Sequence, residues 1–189
     1  MKRTLIAAAA LFIAGPAYAA CETETAKDDL TTEQVQALYE CIRDELREGY
    51  AKADDPRTSD YAKWKVTATA PAAPGAHGNR FLLTFANEVG FDEYVKYDEE
   101  RGPMPVGTEL AKESFNISKK GKVRKGPLFF MTKVAAGEAD EFGNWVYAAW
   151  SPKGKAMKIK QKFCHDCHGA FEDQDAMGYP DEDVRLTSQ

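Results

Sequence analysis

Residues 164–168 read Cys-His-Asp-Cys-His, and this short stretch restricts the fold more than any other part of the chain. Two thiols two residues apart share one turn, where each reaches a vinyl group of the same porphyrin, and the histidine that follows falls beneath the iron. The pattern is that of a c-type haem attachment site: Cys164 and Cys167 are thioether anchors, His168 is the proximal iron ligand, and one covalently bound haem c is the cofactor. Two other chemistries use similar residues. Structural zinc draws its ligands from two separated pairs, whereas Cys21 and Cys41 lie more than a hundred positions upstream. A thioredoxin-type dithiol opens a helix after a strand in a βαβ unit, and no such unit precedes Cys164.

The opening of the chain carries Lys2 and Arg3, an apolar run from Leu5 to Ala14, and then Ala17-Tyr18-Ala19. Together these make a secretory signal with an Ala-x-Ala cleavage site. The run is too short to remain as a membrane-spanning helix, and no later stretch reaches the length required; the mature chain is expected in the periplasm. Ala19-Ala20-Cys21 also looks like the end of a lipobox, but Tyr18 stands where an aliphatic residue belongs, so anchoring through Cys21 is the weaker reading. With two of the four cysteines assigned to haem, Cys21 and Cys41 remain as a disulfide pair in an oxidising compartment. Cleavage after Ala19 removes Lys2 and Arg3, and no acid, from 25 basic and 30 acidic side chains, leaving a net charge of −7. That balance argues against nucleic acid as a partner.

Thr31-Thr32-Glu33-Gln34 is a capping box, and Val35, Leu38, Ile42 and Leu46 recur at helical spacing until Gly49. Trp64, Val66 and Ala68 alternate with polar residues as in a half-buried strand, and 71–78 is a loop that contains His77. Further strands are expected at 81–85, 108–117, 128–134 and 145–150. The second and third of these pair as an antiparallel hairpin across Ser118-Lys119-Lys120-Gly121. Asn87 caps a short helix with Phe91, Tyr94 and Val95 on its apolar side. Lys153, Lys155, Lys158, Lys160 and Lys162 crowd the approach to the haem motif; they read as a solvated face and also as a docking surface for an acidic redox partner. The fold class is α+β, a mainly antiparallel β-sheet domain with an N-terminal helix and a C-terminal haem c attachment segment. The divisions expected are a signal peptide over 1–19, an N-terminal helical segment over 20–60 and a haem c domain over 61–189.

Class I cytochromes c are small and helical, with the attachment motif near the N-terminus. Here about twenty residues follow His168, so the domain is built before its cofactor site arrives. The order His77-Gly78, Asn87, Pro105-Val106-Gly107-Thr108, Lys112-Glu113, Gly126-Pro127-Leu128, Gly143-Asn144-Trp145 and the terminal haem motif resembles the cytochrome P-460 family over roughly 64–168. The resemblance implies an antiparallel β domain, often a homodimer, with a five-coordinate haem c whose distal face is open to hydroxylamine or nitric oxide. It further implies, for the hydroxylamine-oxidising members, a lysine cross-linked to the porphyrin, and Lys96 in Tyr94-Val95-Lys96 is the position that looks closest. The competing reading of Lys96 is an exposed residue on a charged helix.

The remaining candidates bear on the distal side. Glu138 and Glu141 precede Trp145, and Glu141 is the expected proton acceptor. His77, in a loop beside glycine, reads first as a turn residue. Met177 follows His168 too closely in sequence to loop over the opposite haem face. Phe91, Phe115, Phe129, Phe130 and Trp145 are core residues, one or two of which also wall the distal pocket. Three functions follow: an enzyme that oxidises hydroxylamine and passes electrons to a redox partner protein, a nitric-oxide-binding protein, or an electron carrier with six-coordinate iron.

Overall fold

Alternation along four long strands divides the molecule into two layers. The computed structural model describes residues 21–97 and 101–186; the signal peptide expected over 1–19 lies outside the described residues. Six strands form one antiparallel sheet: β1 (Lys65–Val66), β2 (Phe81–Ala86), β3 (Glu109–Ile117), β4 (Val123–Lys125), β5 (Leu128–Lys133) and β6 (Trp145–Trp150). The spatial order is β1-β2-β3-β5-β6, with β4 paired to the far end of β3. The fold is therefore α+β with a mainly antiparallel sheet and an N-terminal helix.

Successive side chains on a strand point to opposite faces, and here the two faces differ in chemistry. Phe81, Leu83 and Phe85 of β2, Ala111 and Phe115 of β3, and Phe130 of β5 join one buried cluster with Leu38, Ile42 and Leu46 of helix α1 (Thr32–Tyr50). Helix α1 begins at the expected capping box: the Thr31 side chain accepts from the Gln34 N–H, and the Gln34 side chain accepts from the Thr31 N–H. Within this layer Glu113 is 1 % exposed. Its carboxylate accepts from Tyr39 Oη at 2.6 Å, Tyr61 Oη at 2.7 Å and Arg47 Nε at 2.9 Å. Burial, followed by the Glu113 charge, pushes both tyrosine hydroxyls up, so they remain donors.

Two strands depart from expectation. The alternation at 64–69 yields only the two-residue β1, because residues 68–69 run beside the C-terminal segment, where Thr69 N donates to Val184 O at 2.8 Å. The expected hairpin partner of β3 is split in two. Residues 109–112 of β3 pair with β5 and residues 115–117 with β4, on either side of Gly126-Pro127. Proline has no N–H for the ladder, and the step is bridged instead by Gly126 N to Ser114 O (2.8 Å) and Ser114 Oγ to Pro127 O (2.6 Å).

Cys21 and Cys41 form a disulfide with Cα atoms 5.8 Å apart. It ties α1 to the segment beside β4, where Val123 N donates to Cys21 O at 3.0 Å. Such a thiol is not available for a lipid anchor. The bond closes a loop of sequence separation 20, for which chain entropy gives a stabilisation of about 3 kcal/mol; chemical denaturation of the Cys21→Ser/Cys41→Ser double variant is expected to show a loss of that size. Glu113→Ala strands Arg47 against a buried layer and is expected to cost about 3–5 kcal/mol, read in the same denaturation experiment.

Candidate functional site

The sheet face turned away from α1 is the floor of a cavity of about 680 Å³, within the range of cofactor sites. Leu82, Lys112, Phe129, Met131 and Tyr147 reach it from the floor, the 72–80 loop closes one side, and helix α3 (Gln161–His168) and residues 171–181 close the other. Helix α2 (Glu88–Tyr94), capped as expected by Asn87, whose side chain accepts from Gly90 N at 3.2 Å, packs against β2 and β3 without lining the cavity.

Helix α3 carries the whole Cys-x-x-Cys-His motif. Its first residue docks it to the sheet edge: Tyr147 N donates to Gln161 Oε1 at 2.7 Å and Gln161 Nε2 donates to Tyr147 O at 2.8 Å. One side-chain amide thus takes the place of a neighbouring strand on β6. Cys164 and Cys167 are both free thiols, the first half-buried and the second exposed at the rim. Burial, then the neighbouring Cys167, pushes the Cys164 thiol up. His165 turns to the outer side, between Phe142 and Tyr147, whose Oη lies 3.3 Å from its Nδ1.

His168 is buried, and its Nδ1 lies 2.9 Å from Ala176 O. A carbonyl only accepts, so the proton sits on Nδ1 and the lone pair of Nε2 is left for a ligand. Burial, then the Lys112 charge, pushes this imidazole down to about 4, and it is neutral at neutral pH. The accepting carbonyl is itself fixed. Asp175 and Ala176 both hold left-handed backbone, φ 52° and 62°, a conformation that non-glycine residues keep only when neighbours hold it in place. Asp175 is gripped by Lys133 Nζ at 2.6 Å, by Met104 N at 2.9 Å and, through its carbonyl, by Trp145 Nε1 at 2.9 Å. Lys133 also donates to Gly143 O at 2.9 Å and lies over the Trp145 ring.

Across the cavity stand Lys112, Arg80 and His77. Burial pushes the Lys112 amine down to about 8. Burial, followed by the charge of Lys112, pushes the His77 imidazole down to about 3. The His77 ring lies 4.6 Å from that of Phe129 and 6.0 Å from that of His168.

The structure places the other expected residues elsewhere. Lys96 lies beyond the end of α2, paired with Glu93 at 2.6 Å and outside the cavity lining; its short side of the helix faces solvent, and the lysine in the cavity is Lys112. Glu141 is exposed in the turn 140–142, also outside the lining, because the Asp140–Phe142 turn packs Phe142 on the outer side of α3. Met177 is buried with Trp145 in the core beneath α3, and of the five expected aromatics Phe129 and Phe130 line the cavity, Phe130 also belonging to the α1-side cluster. Lys112 had a usable signal in the sequence, since it stands beside Glu113 in the middle of a strand, between Leu110-Ala111 and Ser114-Phe115. His77 and the grip on Asp175 depend on long-range contacts.

A buried neutral imidazole with a free Nε2, two unpaired thiols on the same helix and an apolar cavity above them define a c-type haem protein. Among the described residues no group of three or more His, Cys, Asp or Glu converges on a metal position, so the zinc reading lacks a ligand set. The family model for cytochrome P-460 matches residues 58–177, and the chain belongs to that family, which implies a haem c cofactor. A search of curated proteins returned no match.

The grip on Asp175 has a measurable effect. A strong acceptor on Nδ1–H raises the basicity of a ligating imidazole. Lys133→Met is therefore expected to keep the haem but raise its reduction potential and lower the iron–histidine stretching frequency in resonance Raman spectra, while Lys133→Arg stays near wild type. Unchanged values in Lys133→Met would show that His168 is seated without this tether.

Proposed function

We propose that this chain is an exported haem c protein that takes hydroxylamine or nitric oxide onto the distal side of its haem and passes electrons to an acidic redox partner. The observation that carries this reading is the meeting, in one apolar cavity, of neutral His168, the two thiols of α3 and the amine of Lys112. Export to the periplasm is supported by the signal over 1–19 and by the Cys21–Cys41 bond. No helix among the described residues is long and apolar enough to cross a membrane.

Bound haem supplies a Lewis-acid and one-electron redox centre. Cys164 and Cys167 would hold the group to α3 through thioether links, and His168 would hold its iron. His168 offers Nε2 without first losing a proton. Phe129, Leu82 and Ile159 give the cavity an apolar lining around Lys112 and Arg80, in which their charges are less screened than in water. Lys112, shifted toward neutrality by burial, is the cavity group suited to accept a proton near pH 8. The lysine role that the family resemblance assigned to Lys96, and the proton transfer assigned to Glu141, both fall to it. Lys155, Lys158, Lys160 and Lys162 flank exposed Phe163 at the rim, a basic face that suits an acidic partner.

Acid-acetone extraction is expected to leave the haem on the polypeptide, and His168→Ala to lose the native spectrum. Lys112→Ala is expected to bind nitric oxide still, while hydroxylamine-dependent reduction of an added acceptor falls about 10²–10⁴-fold. An unusual porphyrin spectrum that Lys112→Ala converts to that of ordinary haem c would identify a covalent bond at this lysine. A wild-type protein that binds both ligands and delivers no electrons would reduce the function to nitric oxide binding.

A further inference from the structure

Two cations line the cavity, Lys112 and Arg80, and among the described residues neither joins an ion pair. We propose that they make the cavity an anion site, which draws a small oxyanion of the nitrite class to the open distal side of the haem in addition to the neutral ligands named above. The inference rests on the reading that the cavity holds haem c on Cys164, Cys167 and His168 with that side open.

Strand register puts the first charge in place. Lys112 stands opposite Thr84 of β2 and Phe129 of β5, and residues paired across neighbouring strands share a face, so all three turn into the cavity that they line. No counter-ion comes with it. Glu113 points to the other face, where two tyrosines and Arg47 hold it, and the one carboxylate in the cavity lining, Asp181, is exposed to solvent. Burial alone acts on the Lys112 amine, with no carboxylate to offset it, and brings it down to about 8, so it is a cation at neutral pH. That charge reaches the rings of both His77 and His168, and thus acts where His168 presents its free nitrogen.

The second charge is seated by glycine at two points. Gly78 has a φ of 75°, and a Cβ there would lie 2.3 Å from Arg80 Nη1; a Cβ on Gly126 would lie 3.0 Å from Arg80 Cδ. The guanidinium gives one hydrogen bond to His77 O at 2.5 Å, and its remaining N–H groups are left for another acceptor. His77 adds no charge of its own, because burial and then Lys112 keep its ring neutral. Unpaired cations in apolar surroundings are unfavourable, and an entering anion relieves both at once. The cavity of about 680 Å³ must also hold the porphyrin, so the anion is small. An oxyanion offers lone pairs to ammonium and guanidinium N–H groups in charge-assisted hydrogen bonds, and a neutral diatomic ligand gains little from them.

The test uses the full-length matured holoprotein in its ferric form at neutral pH, with nitrite as the anion and nitric oxide as the neutral ligand. Optical titration is expected to show nitrite bound by wild type and bound about 10- to 100-fold more weakly by Lys112→Met, the worth of one charge-assisted hydrogen bond. The affinity for nitric oxide is expected to change little. Arg80→Met is expected to weaken nitrite in the same direction, and Lys112→Arg, which keeps a cation on the strand, to bind it as wild type does. Methionine retains an unbranched stem and removes the charge, so an unchanged thermal midpoint in these variants separates the cation from the packing. A wild-type spectrum that nitrite leaves unaltered overturns the proposal, as do equal nitrite affinities in wild type and Lys112→Met; if the porphyrin spectrum itself changes in that variant, the amine serves the cofactor instead. Acid-acetone extraction and nitric oxide binding are read on every sample. Haem that stays attached and takes nitric oxide shows that the reading of the cavity stands, so a missing nitrite preference there counts against the anion site alone.

Discussion

The register of β3 is the constraint on which the rest of the molecule depends. Lys112 and Glu113 are adjacent, so they point to opposite faces of the sheet, and a slip of one residue would exchange them. Glu113 is held on the α1 side by two tyrosine hydroxyls and a guanidinium. In the exchanged register a lysine would face those three donors, and the carboxylate would sit in an apolar cavity without them. The polar cluster beneath α1 therefore does more than stabilise its own layer. It fixes which residues of β2, β3, β5 and β6 are available to the cofactor on the far side, and it puts an amine there in place of a carboxylate.

The proximal side is built by a different device. After α3 the chain turns back through residues 169–186, and its carbonyl at Ala176 becomes the acceptor for His168. Asp175 is the joint: Lys133 from β5, Met104 from the loop before β3, and Trp145 from β6 all close on it. The orientation of one imidazole is thus referred to the sheet, not only to the helix that carries it. Gln161 serves the same end at the other terminus of α3 by copying a strand partner for Tyr147. A short helix of marginal intrinsic stability is thereby fixed at both ends, as a covalently attached group requires.

Much of this was legible in the sequence, and the exceptions have physical reasons. Capping residues declare themselves locally, which is why Thr31 and Asn87 begin helices as read. Strand periodicity located β2, β3, β5 and β6 to within a few residues. It missed β4, where Val123-Arg124-Lys125 offers one apolar residue at a sheet edge, and it overextended β1, since Ala68 bridges to Arg185 of the C-terminal segment instead of continuing the strand. For the site, the covalent and proximal residues are contiguous, whereas the distal ones are assembled from separate loops and strands. Lys96 and Lys112 look alike as letters. What separates them is that one ends a short surface helix and the other interrupts the buried middle of a nine-residue strand, where a charged side chain is expensive and is kept for a purpose.

Phe163 is 73 % exposed one residue before Cys164, and Cys167 is exposed as well, so this edge of the cavity lies at the surface. The lysines at 155, 158, 160 and 162 are exposed beside it in sequence, and among the described residues Lys162 pairs with the carboxylate of Asp166 in the same turn. On a chain with an excess of acidic residues, these lysines and exposed Phe163 are the surface on which the proposal of an acidic redox partner rests.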